Sequence, residues 1–241
     1  MMLAFPVKFF LRFFNNHGML SVDERPQWRV ISDGARSYVS PITQPFKERI
    51  RLNTAITKIE RKPESVSLHT SSGEVCDFDH VVLACHSDQA LRMLDKPSKQ
   101  ESDILGALPY QMNEVVLHTD TDLMPKKELA WASWNYHITQ RANDRAMVTY
   151  NMNKLQNFDD AEDIFLVTLN RSVEINPAKI IKTYQYAHPI FTLDGIRAQS
   201  RHHEISGQNR THYCGAYWFS GFHEDGVNSA LRVVKHFGIA L

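Results

Sequence analysis

Phe5, Phe9, Phe10, Phe13 and Phe14 crowd the first fourteen residues, broken by Lys8 and Arg12, a spacing that predicts an amphipathic helix with a wide apolar face. Gly18 and Pro26 punctuate the next stretch of chain. Trp28 to Ile31 then reads as a short strand before a turn at Asp33–Gly34, and Pro41 and Pro45 keep any helix between Tyr38 and Phe46 short. Alternating runs around Ile56 and Ile59, Val66 and Leu68, and Val81 to Ala84 predict three strands, with turns at Lys62–Pro63 and Ser72–Gly73. The third run is continuously apolar, as in a strand buried on both faces. A helix is expected from Ser87 to Leu94. Residues 112–124, 129–137, 145–153 and 164–170 read as strands separated by polar turns, which suggests a largely antiparallel sheet. Pro177 stands at the favoured first position of a helix running to His188 and ended by Pro189.

The last thirty residues carry the most specific pattern. A short apolar segment, His212 to Cys214, meets Gly215, an aromatic loop and then a helix in which Val227, Ala230, Leu231 and Val234 recur at i, i+3, i+4 and i+7 and so form a buried face. Asp225 and Gly226 fall where an N-cap and a close backbone approach are wanted. A strand, a glycine-lined loop and an open helix N-terminus together make a docking place for an electron-rich or anionic group. These elements predict a mixed α+β or α/β chain of two interleaved lobes. One is built from residues 1–104 and 196–241; the other, residues 105–195, is a mostly antiparallel sheet with flanking helices.

Length allows one large domain or two small ones. Lys plus Arg equals Asp plus Glu at 27 each, so no global field favours nucleic acid or an anionic membrane. Cys76, Cys85 and Cys214 form no CxxC pair, which points to a reducing cytoplasm rather than a zinc ribbon or disulfide framework. The N-terminal run is too short to span a bilayer and has no cleavage site, leaving a core-packed helix or an interfacial one that reaches lipid-like substrates. His202, His203, His212, His223 and Glu224 offer metal-ligand types without HxxxH or HExxH spacing, so no metal is expected. FSGFH is not a GxSxG elbow. Cys85 and Cys214 read as small buried thiols, with a nucleophile or covalent cofactor anchor as the alternative. Trp131 and Trp134 read as sheet packing or as the wall of a substrate cavity.

The C-terminal order of residues resembles the flavin-contacting segment of the flavin-containing amine oxidase family, and IRLNTAITKIERKPESVSLHTSSGEVCDFDHVVLAC resembles that family's second βββ portion. PQWRV, LNRSVEINPAKII and GFHEDGVNSALRV are similar to a bacterial amine-oxidase-like branch of predicted NAD/FAD-binding proteins. The resemblance implies non-covalent FAD, a partial FAD-binding lobe and a substrate-binding lobe. It places Ile56 by the adenine, Ala84 and Cys85 by the ADP half, and Gly34 and Arg36, from DGARSYV, by the phosphates. Gly215 corresponds to the glycine that ends the last strand, and Gly221, Phe222, Asp225, Gly226 and Val227 to the loop and helix start under the flavin, with Phe222 as one aromatic wall.

Three departures accompany it. The GxGxxG unit that holds the pyrophosphate is absent, leaving a truncated Rossmann portion. Ala216 and Tyr217 replace an acidic residue after the glycine, and Asn113 and Glu114 stand where amine-oxidising members place a lysine. The implied activity is hydride transfer from a C–H bond of a small-molecule amine or lipid-like substrate to flavin, with no catalytic residue named. The alternatives are a non-catalytic remnant completed by a second copy or a partner chain, and a small-ligand or lipid-binding module without flavin.

Overall fold

The computed structural model describes residues 6–23, 27, 29–138, 145–158 and 160–239. Two units divide the chain. The first gathers Met1–Arg25, Glu48–Tyr110 and Pro189–Leu241, and the second Pro26–Lys47 and Gln111–His188. Gly34 and Arg36, expected in the first lobe, therefore lie in the second unit.

In the first unit, α1 (Val7–Asn16) follows Pro6. Strands β1 (Ile56–Arg61), β2 (Val66–Thr70) and β3 (Val75–Phe78) form an antiparallel sheet in that order, with a bulge between Ile56 and Lys58. Sequence reasoning missed β3, which is only four residues long and mostly exposed, too short to show an alternation of apolar and polar positions. Strand β4 (Val81–Leu83) pairs in parallel with β10 (Thr211–Tyr213), and helices α3 (Ser87–Met93), α4 (Lys99–Gly106), α6 (Leu193–Ser200) and α7 (His223–Val234) complete the unit. Ile59, Val66, Leu83, Ile104, Leu105, Ile205 and Tyr213 form its core.

The expectation that β4 is buried on both faces is corrected. Val81 and Leu83 are buried, but Val82 is 46% exposed, because β10 is the one strand paired with β4 and no layer covers Val82 among the described residues.

In the second unit, α2 (Arg36–Thr43) follows a turn in which Asp33 and Gly34 both have positive φ, and it carries Pro41 inside. Gln27 and residues 29–31 are not a strand, so the expected one is not formed there; Trp28 lies outside the described residues. Strands β5 (Tyr110–His118), β6 (Trp134–Tyr136), β7 (Val148–Asn151), β8 (Leu166–Leu169) and β9 (Ile180–Pro189) form a sheet in the order β6-β7-β8-β5-β9. Helix α5 (Met152–Gln156) joins β7 to β8.

β9 overturns the helix expected after Pro177. The proline opens only a 3-10 turn, Pro177–Lys179, capped by Asn176. Ile180, Ile181, Thr183, Tyr184 and Tyr186 then favour an extended chain, and at the sheet edge this strand is half-exposed or exposed throughout.

Candidate functional site

The carboxyl ends of parallel strands are where α/β folds hold their ligands. Here the β4 end leads into Ala84 and Cys85, and the β10 end into Cys214 and Gly215, with the Cys214 amide donating to the Leu83 carbonyl at 3.0 Å. Burial pushes both thiols up, and Cys85 further opposes ionisation of Cys214, so neither is a poised thiolate.

Gly215 has φ +153°, and a Cβ there would lie 2.4 Å from the Tyr217 ring. The glycine is required because Tyr217, 5% exposed, folds back over it. Burial raises the Tyr217 phenol, and its hydroxyl and the Trp218 indole nitrogen are buried without hydrogen-bond partners among the described residues.

Helix α6 holds the aromatic loop. Gln199 Nε2 donates to the carbonyls of Tyr217 (2.8 Å) and Phe219 (2.7 Å). His202 Nε2 donates to the Tyr213 carbonyl at 2.7 Å, and its ring meets Trp218 edge-on. From the other side, the Gly215 amide donates to Ser229 Oγ at 2.5 Å. A deeper network fixes β10: Glu101 accepts from Tyr213 Oη at 2.6 Å, the Ser98 amide at 2.7 Å and the Arg61 guanidinium.

The start of α7 differs from expectation in two ways. Its N-cap is Phe222, not Asp225; Asp225 sits in the first turn, where its carboxylate accepts from the Phe222 amide at 2.9 Å and the Ser220 amide at 3.2 Å. A phenylalanine cap offers no side-chain acceptor to the first-turn amides. Gly226 has nothing within 4 Å of a would-be Cβ, so no protein backbone approaches it closely among the described residues.

The buried face of α7 also differs. Ser229 and Val233 are buried, whereas Val227 is 41% exposed and Ala230 is exposed; the small Ser229 lets the helix approach the Gly215 turn, which rotates the apolar stripe outward. Phe222 packs against Phe13 of α1 and His17 just after it, at 5.6 and 4.9 Å between ring centroids.

Gly215, Gly221, Phe222, Asp225, Gly226 and Val227 thus share one loop and helix start. Ala84, exposed, and Ile56, half-buried, lie elsewhere in the same unit. In the second unit, Gly34 has open space around it, and Arg36 is exposed at the start of α2. A cleft of about 830 Å³ runs along α1, α6 and α7, lined by Arg12, Arg197, Trp218, Phe219, Asp225 and Arg232 among others. Tyr217, Gln199, Glu101 and the cleft cations were not found from sequence, since their roles depend on contacts between distant segments.

One face of the second unit's sheet carries a buried polar chain. Arg171 donates to His137 Nδ1, so His137 holds its proton on Nε2 and donates to Thr149 Oγ1 (2.8 Å). Thr149 bonds Thr168 at 2.8 Å. The Asp120 amide donates to His118 Nδ1, which likewise leaves His118 Nε2 to donate to Thr168 at 2.7 Å. Both imidazoles are locked neutral, and burial lowers the pKa of each. On β5, Asn113 bonds His188 and Asn170, and Glu114 accepts from Ser172. Among the described residues no group of three or more His, Cys, Asp or Glu side chains could hold a metal ion, and no helix is long and apolar enough to cross a membrane.

A parallel strand pair whose second strand runs through Cys214 into the Gly215 turn, with a helix lacking a cap side chain beyond it, belongs to the α/β class of arrangement. The particular family is fixed by sequence: residues 7–157 match the flavin containing amine oxidoreductase family, and the chain belongs to it. Solved structures share the fold. A CLA-producing fatty acid isomerase from P. acnes aligns with TM-score 0.62 and 16% identity over 86% of this chain and 52% of that one. Putrescine oxidase bound to putrescine aligns with TM-score 0.58 and 11% identity over 86% and 53%, and cyclohexylamine oxidase from Brevibacterium oxydans IH-35A with TM-score 0.55 and 12% identity over 86% and 53%. This chain spans about half the length of these structures. No curated protein matches it.

The residues present fit part of FAD. Gly215, the positive-φ Gly221 and a helix start without a cap side chain suit the electron-rich edge of a flavin ring, while the sequence holds no GxGxxG turn for the pyrophosphate.

Proposed function

We propose that this chain forms the flavin-facing and substrate-facing portion of an FAD-dependent oxidoreductase. The observation that carries the reading is the β10–Gly215–α7 turn: a strand end held rigid from two sides, running into a helix whose first-turn amides have no capping side chain. FAD, when bound, supplies a ring that accepts a hydride from a substrate C–H bond. The residues of this chain bind and orient. The α7 amides stabilise negative charge at the ring's pyrimidine edge, and Asp225 holds the Ser220 and Phe222 amides in place.

The second unit's sheet is the substrate lobe in this reading. Strand β5 carries no lysine, and Asn113 is engaged by His188 and Asn170, which favours a lipid-like substrate over an amine.

The test is an absorption spectrum of purified protein before and after incubation with excess FAD and gel filtration. Retained flavin bands, and their loss in Gly215→Glu, support the reading. A colourless protein whose thermal midpoint does not respond to FAD overturns it.

A further inference from the structure

The cleft along α1, α6 and α7 carries an excess of positive charge that the chain as a whole does not have. Lys8, Arg12, Arg197 and Arg232 line it, against the single carboxylate of Asp225. The chain balances 27 basic with 27 acidic residues, so this asymmetry is local. Asp225 is already committed to two backbone amides, and Arg197 is paired with Asp194. Lys8, Arg12 and Arg232 have no carboxylate partner among the described residues. The Arg232 guanidinium instead lies over the Phe219 ring, 4.1 Å from its centroid. Cations gathered without neutralisation in a concave site repel one another and attract an anion. The rest of the lining mixes polar side chains, three histidines among them, with an apolar part formed by Phe9, Leu193, Ile196, Trp218 and Phe219. A volume of about 830 Å³ lies within the range of small-molecule sites.

We propose that this cleft binds an amphiphilic anion, a single carboxylate or phosphate head carrying an alkyl or aromatic body. Arg12 and Arg232 grip the head, and the Phe9–Trp218–Phe219 wall receives the body. An arginine already stacked on an aromatic ring is preorganised for a planar or tetrahedral oxyanion.

The test is calorimetric titration of FAD-free protein at low salt with decanoate, decyl phosphate, decanol and decyltrimethylammonium, each below its micelle-forming concentration. The two anions are expected to bind saturably, with decanoate or decyl phosphate the tighter according to whether the head is planar or tetrahedral. Arg12→Glu/Arg232→Glu is expected to weaken them about tenfold or more. Should that variant lose its native circular dichroism, the parent protein decides: raising salt must weaken the anions and leave decanol unchanged. Equal binding of the ammonium ion, affinity indifferent to both the variant and salt, or displacement of decanoate by FAD overturns the inference. Because flavin is left out of the titration, decanoate binding upholds this inference even where added FAD is not retained and leaves the thermal midpoint unchanged, the result that refutes the flavin reading.

Discussion

Glu101 offers the sharpest test of how the site strand is held. Its side chain is 1% exposed, yet it is charged, and its oxygens take the Arg61 guanidinium, the Tyr213 hydroxyl and the Ser98 amide together. Burial alone would raise its pKa; Arg61, Tyr213 and the Ser98 amide outweigh burial and leave it below the ordinary carboxylate value. Glu101→Gln keeps the shape but removes the charge, turns an NH2 group toward donors and strands the largely buried Arg61. Breaking a buried pair in this way costs about 3–5 kcal/mol. Tyr213→Phe removes one hydrogen bond to a charged acceptor and should cost about 1.5–3 kcal/mol.

Because both changes act on one carboxylate, the double variant should cost less than the sum, by about 0.5–3 kcal/mol. Urea unfolding followed by circular dichroism, with hydrogen exchange of the Cys214 amide reporting on β10 itself, measures all three. The sign of the pH dependence comes from the lowered carboxyl. Its contribution is complete above the unfolded value of about 4.3 and is lost as pH falls through the folded value, so Glu101→Gln should flatten that acid limb. A loss under about 1 kcal/mol for Glu101→Gln, or strict additivity, would refute the network.

Three further outcomes are expected. Gly215→Ala drives a methyl into the Tyr217 ring and should cost about 1–3 kcal/mol, with partial recovery in Gly215→Ala/Tyr217→Ala; an unchanged melting temperature would show that the aromatic loop does not pack on this glycine. Burial lowers the pKa of His118, His137, His202 and His212, so the unfolded chain takes up protons first. Stability should be full above about pH 6.5 and decline as pH falls toward the folded values, seen as a falling thermal midpoint between about pH 8 and 5.5; a flat profile there would contradict neutral buried imidazoles. Thr168→Val leaves the His118 N–H without its acceptor and should cost about 1–3 kcal/mol by urea unfolding, whereas a neutral result would mean the polar chain contributes nothing.

Elements with strong local periodicity were legible in the sequence: α1, β1, β2 and α3 form within the expected stretches, and so do four of the five strands of the second unit's sheet, β5 to β8. The failures have physical causes. Pro177 does open a turn, but helix propensity after it is overridden by β-branched and aromatic residues that complete a sheet edge, and an exposed edge strand shows no alternation to read. In α7 the apolar spacing points to Val227, Ala230, Leu231 and Val234, yet packing buries Ser229, whose hydroxyl serves the Gly215 amide. Asp225 looked like an N-cap; it lies in the first turn and reaches back to the cap residue's amide. Glu101 was invisible, since nothing in its own segment predicts that Arg61 and Tyr213 arrive there from strands on either side in sequence.

The site's rigidity comes from where those invisible contacts fall. Tyr213 is clamped at its hydroxyl by Glu101 and at its carbonyl by His202, and two residues later the Gly215 amide is fixed by Ser229. Gln199 then holds the carbonyls of Tyr217 and Phe219. The chain from the end of β10 to the aromatic loop is thus tied repeatedly by side chains from α4, α6 and α7 and from His202 just beyond α6, although β10 itself has a single strand partner. A short strand pair would by itself be a poor support for precise geometry. The side-chain ties replace the missing ladder, so the turn is formed before any ligand arrives and little ordering cost falls on binding. The same ties place Trp218 and Phe219 beside Arg232. Loosening Gln199 should therefore weaken anion binding in the cleft as well as the fold, a coupling that Gln199→Ala would reveal as a loss of decanoate affinity with Arg12 and Arg232 intact.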